Sequence, residues 1–139
     1  MYRWLVSKMI RRVAARSRAG DMTPTLAMWA NDGHFQFPGQ SSWAADLHHK
    51  ADIERWYARF SRAGLQIEPH EILVKGPPWN TTVCVHFTDH AAGPDGENVY
   101  TNHGVLFIKI AWGKIRFGTV YEDTQKVAAF DEHLAAVGV

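Results

Sequence analysis

The stretch Asn98–Asp123, NVYTNHGVLFIKIAWGKIRFGTVYED, decides the fold of this chain. It contains two long β-prone runs joined at Trp112-Gly113, where glycine can supply the positive φ angle of a tight hairpin turn. The second run alternates, and one of its faces consists of Ile115, Phe117, Thr119, Tyr121 and Asp123. We therefore predict a β-hairpin whose second strand turns this largely apolar row toward the core and ends it with a carboxylate.

The first strand of this hairpin is apolar on both faces. Val99, Val105 and Phe107 fall on one face, whereas the other carries Tyr100, Leu106, Ile108 and Ile110. Such a strand is covered on both sides, and we expect helices of the same chain on one side and a second subunit over the Tyr100 row. Because the run exceeds the usual length of about 5–6 residues, Gly104 is a candidate bulge, which leaves the face of His103 open.

Length and composition indicate one globular domain over residues 1–139. The single cysteine, Cys84, excludes an internal disulfide and any zinc site built from several cysteines. No apolar run approaches the roughly 20 residues of a membrane span. We therefore expect a cytoplasmic protein that does not partner a membrane.

The charge is unevenly placed along the chain. Residues 1–20 carry six basic side chains and no acid, although the net charge of the whole chain is only +1. A basic helix of this kind could contact a membrane or nucleic acid, or be a transit peptide. The four-residue spacing of Leu5, Met9 and Val13 favours instead a structural helix that lies over the core. Since the rest of the chain is acidic, we expect no nucleic-acid partner.

Around the hairpin, the periodicity predicts an α+β protein. We expect helices over Tyr2–Ala19, Thr23–Ala30, Asp52–Ala63 and Gln125–Ala136, and further strands at Phe35–Phe37, Leu65–Lys75 and Trp79–Thr88. Thr124 is the predicted cap of the last helix, and Gln40–His49 is predicted to be a loop. Helices on one face of a curved antiparallel sheet make a cone with a deep apolar pocket.

Several short motifs give the chain a family resemblance. They are Ala19-Gly20-Asp21, Trp29-Ala30-Asn31-Asp32, His34–Gly39, the helix at Asp52–Phe60, Asn102–Val105, Gly113-Lys114-Ile115 and Tyr121–Thr124. In order and spacing they resemble the superfamily of nuclear transport factor 2, the ketosteroid isomerases, the limonene-epoxide hydrolases and the SnoaL-like polyketide cyclases. The resemblance implies a cone with a strongly curved, mostly antiparallel sheet, about three N-terminal helices and a short C-terminal helix.

Few functional residues of these families have counterparts at the matching positions of this chain. The tyrosine of the ketosteroid isomerases falls on Val13, and their base and protonated acid fall on Phe37 and Val105, so steroid isomerisation by those groups is not expected. The Arg-x-Asp pair of the epoxide hydrolases falls on His103 and Val105, and neither residue is kept. The acid near the end of the last strand in the cyclases is similar to Asp123.

These considerations make Asp123, His103 and Tyr121 the candidate catalytic residues. Asp123, buried at a pocket floor, would have a raised pKa and could move a proton; alternatively it stabilises the start of the last helix. His103 would assist it near neutral pH, or be an ordinary strand histidine. Tyr121 would donate to a developing oxyanion, or be a core aromatic.

The candidate ligand-binding residues suit a flat, apolar or aromatic molecule. They are Trp43, Trp56, Tyr57, His34, Asn102, Phe37 and Val105. His48-His49 with His34 or Asp46 could suggest a metal, but no recognised ligand spacing is present, so we predict none. The chain has no glycine-rich phosphate loop either, and we expect no cofactor.

The sequence thus predicts a small cofactor-independent acid–base enzyme acting on a lipophilic, carbonyl-bearing small molecule. Isomerisation, cyclisation, dehydration and hydrolysis are all compatible with it. The alternative is a non-catalytic domain that binds a small ligand or dimerises. In the enzyme, Asp123 and His103 should face one cavity; in the binding domain, one of them points to solvent or side chains fill the cavity.

Overall fold

A computed structural model describes residues 1–139 and contains four helices and six strands. The helices are α1 (Tyr2–Arg18), α2 (Thr23–Met28), α3 (Lys50–Arg62) and α4 (Thr124–Val137). The strands are β1 (Trp29–Phe37), β2 (Ala45–Leu47), β3 (Leu65–Lys75), β4 (Thr81–Ala92), β5 (Asn98–Ala111) and β6 (Lys114–Glu122). None of the helices is long and apolar enough to cross a membrane.

The strands form one sheet in the order β2-β1-β6-β5-β4-β3, in which only the β1–β6 pair is parallel. The predicted α+β class and mostly antiparallel sheet are therefore confirmed. Two differences from the prediction concern strands β1 and β2. β1 begins at Trp29, where a helix was predicted to continue to Ala30, and β2 lies within the segment predicted to be a loop. Three residues are too few for alternation to reveal a strand.

The helices pack on one face of the sheet, which we call the inner face. Its core includes Phe35, Val83, Val85 and Phe87 from the sheet and Ile53 from α3. These side chains are at most 2% exposed. Burial of apolar surface of this kind is the main stabilising contribution to folding.

The β5 row expected to meet a second subunit lies on the inner face instead. Tyr100, Ile108 and Ile110 are buried in the core under the helices. The opposite row, which contains Val105, faces away from the helices on what we call the outer face. Val105 is 37% exposed. The prediction therefore assigned the two rows of this strand to the wrong sides.

A β-bulge in β6 changes which of its residues face the core. Ile110 pairs with Ile115, but Lys109 pairs with Phe117, so Arg116 is an extra residue with no partner on β5. Beyond a bulge the alternation continues with opposite parity. Arg116 instead pairs with Asp32 of β1, with 3.2 Å between Nη1 and Oδ1. From Phe117 onward, the side chains predicted to face inward therefore face outward.

The bulge predicted at Gly104 is absent, since β4 and β5 keep one register from Thr81 to Ala91. Gly104 has a different role. A Cβ atom there would lie 2.8 Å from the ring of Phe87 and 2.9 Å from Cβ of Glu122. Because real side chains do not tolerate contacts this short, glycine allows both groups to occupy the inner face at this point.

Candidate functional site

Four polar residues lie together on the inner face, at the end of the sheet covered by α4. Asp89 of β4 and Asn102 of β5 are partners in the strand register, and Glu122 of β6 is opposite Gly104. Tyr100 lies one inward position before Asn102. Asp89, Asn102 and Tyr100 are 4%, 1% and 7% exposed. Alternation along three neighbouring strands thus places these side chains in one buried cluster.

Asp89 and Glu122 lie close enough that each carboxyl group shifts the pKa of the other. Two ionised carboxylates only accept hydrogen bonds, so a bond between them requires that one carries a proton. Asp89 Oδ1 and Glu122 Oε2 are buried and have no hydrogen-bond partner. Buried polar atoms are nearly always paired, and unpaired ones call for an explanation such as a ligand or a catalytic role.

Burial sets the protonation of this pair. Burial, and then the negative charge of Asp89, raise the pKa of Glu122 to about 9. Burial likewise raises the pKa of Asp89 above its usual range. Like charges at short distance cannot both ionise easily in an apolar environment. Glu122 therefore keeps its proton at neutral pH, and the two carboxyl groups can act as an acid and a base.

A small aromatic cavity adjoins the carboxyl pair. Besides Asp89 and Glu122, its walls are Phe37, Trp43, Trp56, Phe60, Leu65, Tyr100, Val127 and Phe130. The space left for the centre of a water molecule is about 20 Å³, enough for about one water. A larger ligand can enter only if part of this wall moves.

The loop 38–44 between β1 and β2 carries Trp43 and forms one part of this wall. The Trp43 ring packs edge-on against Trp56, with centroids 5.4 Å apart, and lies 4.1 Å from the guanidinium of Arg59. Ser42, next to it, donates hydrogen bonds of 2.7 Å and 2.6 Å to the carboxylate of Asp131 on α4. Ring contacts and surface hydrogen bonds therefore hold Trp43 against the cavity beside the carboxyl pair.

Residues 10–117 match the SnoaL-like domain family. The chain belongs to that family. Its solved structural relatives include nuclear transport factor 2-like proteins, so the predicted resemblance and fold are confirmed. No curated protein matches the chain in sequence.

Three solved structures illustrate the likeness of this SnoaL-like domain. Bal32a, from a soil-derived mobile gene cassette, is 17% identical with a TM-score of 0.74 over 89% of this chain and 94% of its own. TerC, co-crystallised with polyporic acid, is 22% identical with a TM-score of 0.70 over 90% and 94%. A putative polyketide cyclase from Xanthomonas campestris pv. campestris is 16% identical with a TM-score of 0.65 over 93% and 98%. At these identities the likeness concerns the fold.

Asp123, predicted to point into the cone, is exposed and caps α4 of this SnoaL-like domain. Its Oδ1 accepts hydrogen bonds from the backbone N–H groups of Gln125 and Lys126, at 3.0 Å and 3.3 Å. The predicted orientation is wrong because the bulge at Arg116 reverses the parity of the strand. Asp123, and not Thr124, is therefore the N-cap residue, as in the alternative interpretation.

The other two predicted catalytic residues also lie on the outer face. His103 is exposed, and its Nδ1 lies 3.2 Å from the hydroxyl of Thr88. Tyr121 is 58% exposed. The sheet therefore separates both side chains from the cavity, and the structure does not bring the predicted trio together around one pocket.

The predicted ligand-binding residues divide between the two faces. Trp43, Trp56 and Phe37 line the cavity beside the carboxyl pair. Asn102 is part of the cluster, and its Nδ2 donates to the Tyr100 hydroxyl at 3.0 Å and to the Asp123 carbonyl at 2.9 Å. Tyr57 lines a second apolar space of about 100 Å³ under α1 and α2. His34 and Val105 lie on the outer face, outside both spaces.

Sequence reasoning missed both members of the carboxyl pair. Asp89 continues the inward row Val83, Val85, Phe87 of β4, but the strand was predicted to end at Thr88. Extending the alternation by one residue would have found it. Glu122 was placed on the wrong face because nothing in the local sequence marks the bulge at Arg116.

Proposed function

We propose that this SnoaL-like domain is a small acid–base enzyme acting on a lipophilic, carbonyl-bearing molecule. The observation that carries the proposal is the pair Asp89–Glu122: two neighbouring carboxyl groups, each with a buried oxygen that has no hydrogen-bond partner, beside an aromatic cavity. Catalytic groups are commonly tuned in this way, since an acid and a base are needed near the same pH.

The roles of the two groups follow from their protonation. Asp89, ionised, removes a proton from the carbon next to the carbonyl, and Glu122, protonated, gives its proton to the carbonyl oxygen. The product is an enol, and both carboxyl groups have exchanged protonation states. Return of the proton to another carbon gives an isomer, whereas attack of the enol carbon on a second carbonyl closes a ring. The hydroxyl of Tyr100, oriented by Asn102, is a second donor for the oxygen.

The surroundings of the pair favour a flat, apolar substrate. Aromatic rings supply most of the cavity wall, and stacking on such rings suits unsaturated ligands. Two structural relatives agree with this class, since one was crystallised with polyporic acid and another is described as a putative polyketide cyclase. Entry of the substrate requires the loop 38–44 to swing outward, which breaks the Ser42–Asp131 hydrogen bonds.

Exchange of protons for deuterium tests the proposal without knowledge of the natural substrate. The full chain is incubated with flat aromatic ketones such as β-tetralone in D₂O, and loss of the α-proton signal is followed by NMR. We expect exchange faster than in buffer, and a loss on the order of 10²–10⁴-fold for Glu122→Gln. Glu54→Gln, the same change at an exposed position of α3, is the matched control.

Two outcomes would contradict the acid–base mechanism. If Asp123→Asn abolishes exchange and Glu122→Gln does not, the residue predicted from the sequence is the base. If ketones quench tryptophan fluorescence but no exchange occurs, the domain binds ligands without converting them, which is the alternative function.

We also propose a homodimer formed through the outer face. This face exposes Leu73 (60%), Val105 (37%) and Tyr121 (58%), and Phe107 and Phe117 lie half-buried among them. Contiguous apolar surface of this kind favours association. Sedimentation at micromolar concentration should give a dimer, and Val105→Glu should give a monomer, because it places charge in the contact. A wild-type monomer would contradict the proposal.

A further inference from the structure

A second cluster of titratable side chains lies on the outer face, at the edge of the sheet. β2 pairs with β1 so that Asp46 is opposite Gln36 and Leu47 is opposite Phe35. The same register brings His48 opposite His34, and alternation puts Asp46 and His48 on one side. Two imidazoles and a carboxylate therefore come together because of the strand pairing, although they are far apart in the sequence.

The distances in this cluster are close to those of a metal site. His34 Nε2 lies 2.5 Å from Asp46 Oδ1, and His48 Nε2 lies 3.5 Å from Asp46 Oδ2. The two imidazole rings are stacked, with centroids 4.1 Å apart, and the three ligand atoms all lie within 4.8 Å of one another. Bonds of about 2.0–2.2 Å to a tetrahedral ion separate its ligands by roughly 3.3 Å.

Neighbouring residues support two of the three ligands. Gln36 Nε2 lies 3.5 Å from Asp46 Oδ1, and the His34 ring packs edge-on against Phe117 with centroids 5.2 Å apart. An aspartate is ordinarily ionised at neutral pH, so Asp46 offers a charged oxygen ligand. Such outer contacts orient metal ligands in proteins.

We propose that His34, Asp46 and His48 form a binding site for a divalent transition-metal ion such as Zn²⁺. Two nitrogen donors and one carboxylate oxygen suit zinc and its neighbours in the first transition row. The side chains are 31%, 62% and 58% exposed, so an ion reaches them directly from solvent and keeps an open coordination position. The site lies on the opposite face of the sheet from the carboxyl pair and does not depend on the function proposed for that pair.

Calorimetric titration of the full chain with Zn²⁺ at neutral pH tests the site. We expect one ion per chain, with affinity lowered at least about 10-fold in His34→Ala and in His48→Ala. His49→Ala is the matched control, because His49 is an exposed neighbour outside the cluster whose side chain does not cap α3. Substitution by Co²⁺ should give an absorption spectrum that disappears in His48→Ala but persists in His49→Ala.

Two results would overturn the proposal. One is the absence of saturable binding at one ion per chain, which would make the cluster a hydrogen-bonded surface group only. The other is an equal loss in His48→Ala and His49→Ala, which would indicate nonspecific binding by surface histidines. Circular dichroism of each variant shows that it is folded before its affinity is compared.

Discussion

Carboxyl groups on the two faces of the sheet have pKa values that are shifted in opposite directions. On the inner face, burial and the charge of Asp89 raise the pKa of Glu122 to about 9. On the outer face, a hydrogen bond from His34 lowers the pKa of Asp46, which is largely exposed to water. Position relative to the sheet, more than residue type, therefore decides whether a carboxyl group keeps a proton.

The pH dependence of catalysis is the strongest test of the inner pair. The rate of α-proton exchange should fall about tenfold per pH unit above about pH 9, because Glu122 then loses the proton it must donate. On the acidic side, the rate should fall at a pH above the ordinary pKa of aspartic acid, because burial raises the pKa of Asp89. The exchange rate in buffer alone is subtracted at each pH. If the remaining rate stays constant through this range, the pair does not act as acid and base.

The same pair should make folding stability depend on pH. Folded, Glu122 keeps its proton up to about pH 9, whereas its ordinary pKa is 4.5. Between these values the folded state binds more protons, so the free energy of unfolding falls as pH rises. This contribution is complete below the ordinary pKa and is lost by about pH 9.

Urea unfolding at several pH values measures this dependence. Glu122→Gln should reduce the loss of stability across the window by at least about 1 kcal/mol, since one pKa unit corresponds to about 1.4 kcal/mol. Glu54→Gln should follow the wild type. Equal slopes for wild type and Glu122→Gln would mean that Glu122 titrates normally and that the contrast between the faces is absent.

Asp123, adjacent to Glu122 but on the other side, should affect stability and not proton transfer. Asp123→Ala removes the acceptor for two N–H groups of α4 and should cost about 1 kcal/mol of unfolding free energy. Asp123→Asn should cost less, because asparagine caps helices nearly as well. Thermal unfolding compares the two variants, and an equal loss in both would argue against the cap.

The smallest effect is expected for the outer cluster. Without added metal, Asp46→Asn should leave the melting temperature unchanged, because ion pairs in water contribute little to stability. Thermal unfolding with and without Zn²⁺ checks this, since only the wild type should gain stability from the ion. A large loss in the metal-free variant would show that the outer cluster is also a structural element.

Periodicity predicted most of the fold but not the side of the sheet on which each site residue lies. Helix α3 was predicted from the helical spacing of Ile53, Trp56 and Phe60. The predicted bounds of β3, Leu65 and Lys75, match the observed ones. The bulge at Arg116 depends on how β6 pairs with both β1 and β5, which is tertiary information. Because the extra residue Arg116 gives no local sequence signal, the prediction named Asp123 in the site instead of Glu122.

A metal at His34, Asp46 and the neighbouring histidines was considered from the sequence but not predicted, for a similar reason. His34 is 12 and 14 residues from Asp46 and His48, and no recognised ligand motif has that spacing. Only the pairing of β2 with β1 brings them together, and β2 was not predicted. Trp43, by contrast, was recognised as a ligand candidate, because a tryptophan on a loop can line a pocket for a flat apolar ligand.

The bulge at Arg116 also gives this fold a short evolutionary route between chemistries. If Arg116 paired with Lys109 as an ordinary strand residue, plain alternation would turn Tyr121 and Asp123 toward the cavity and Glu122 toward solvent. Such a one-residue slip of register would exchange the acidic group of the site without any substitution inside it. The gain or loss of a bulge is thus a means by which lineages with this architecture could exchange their catalytic residues while the fold itself persists.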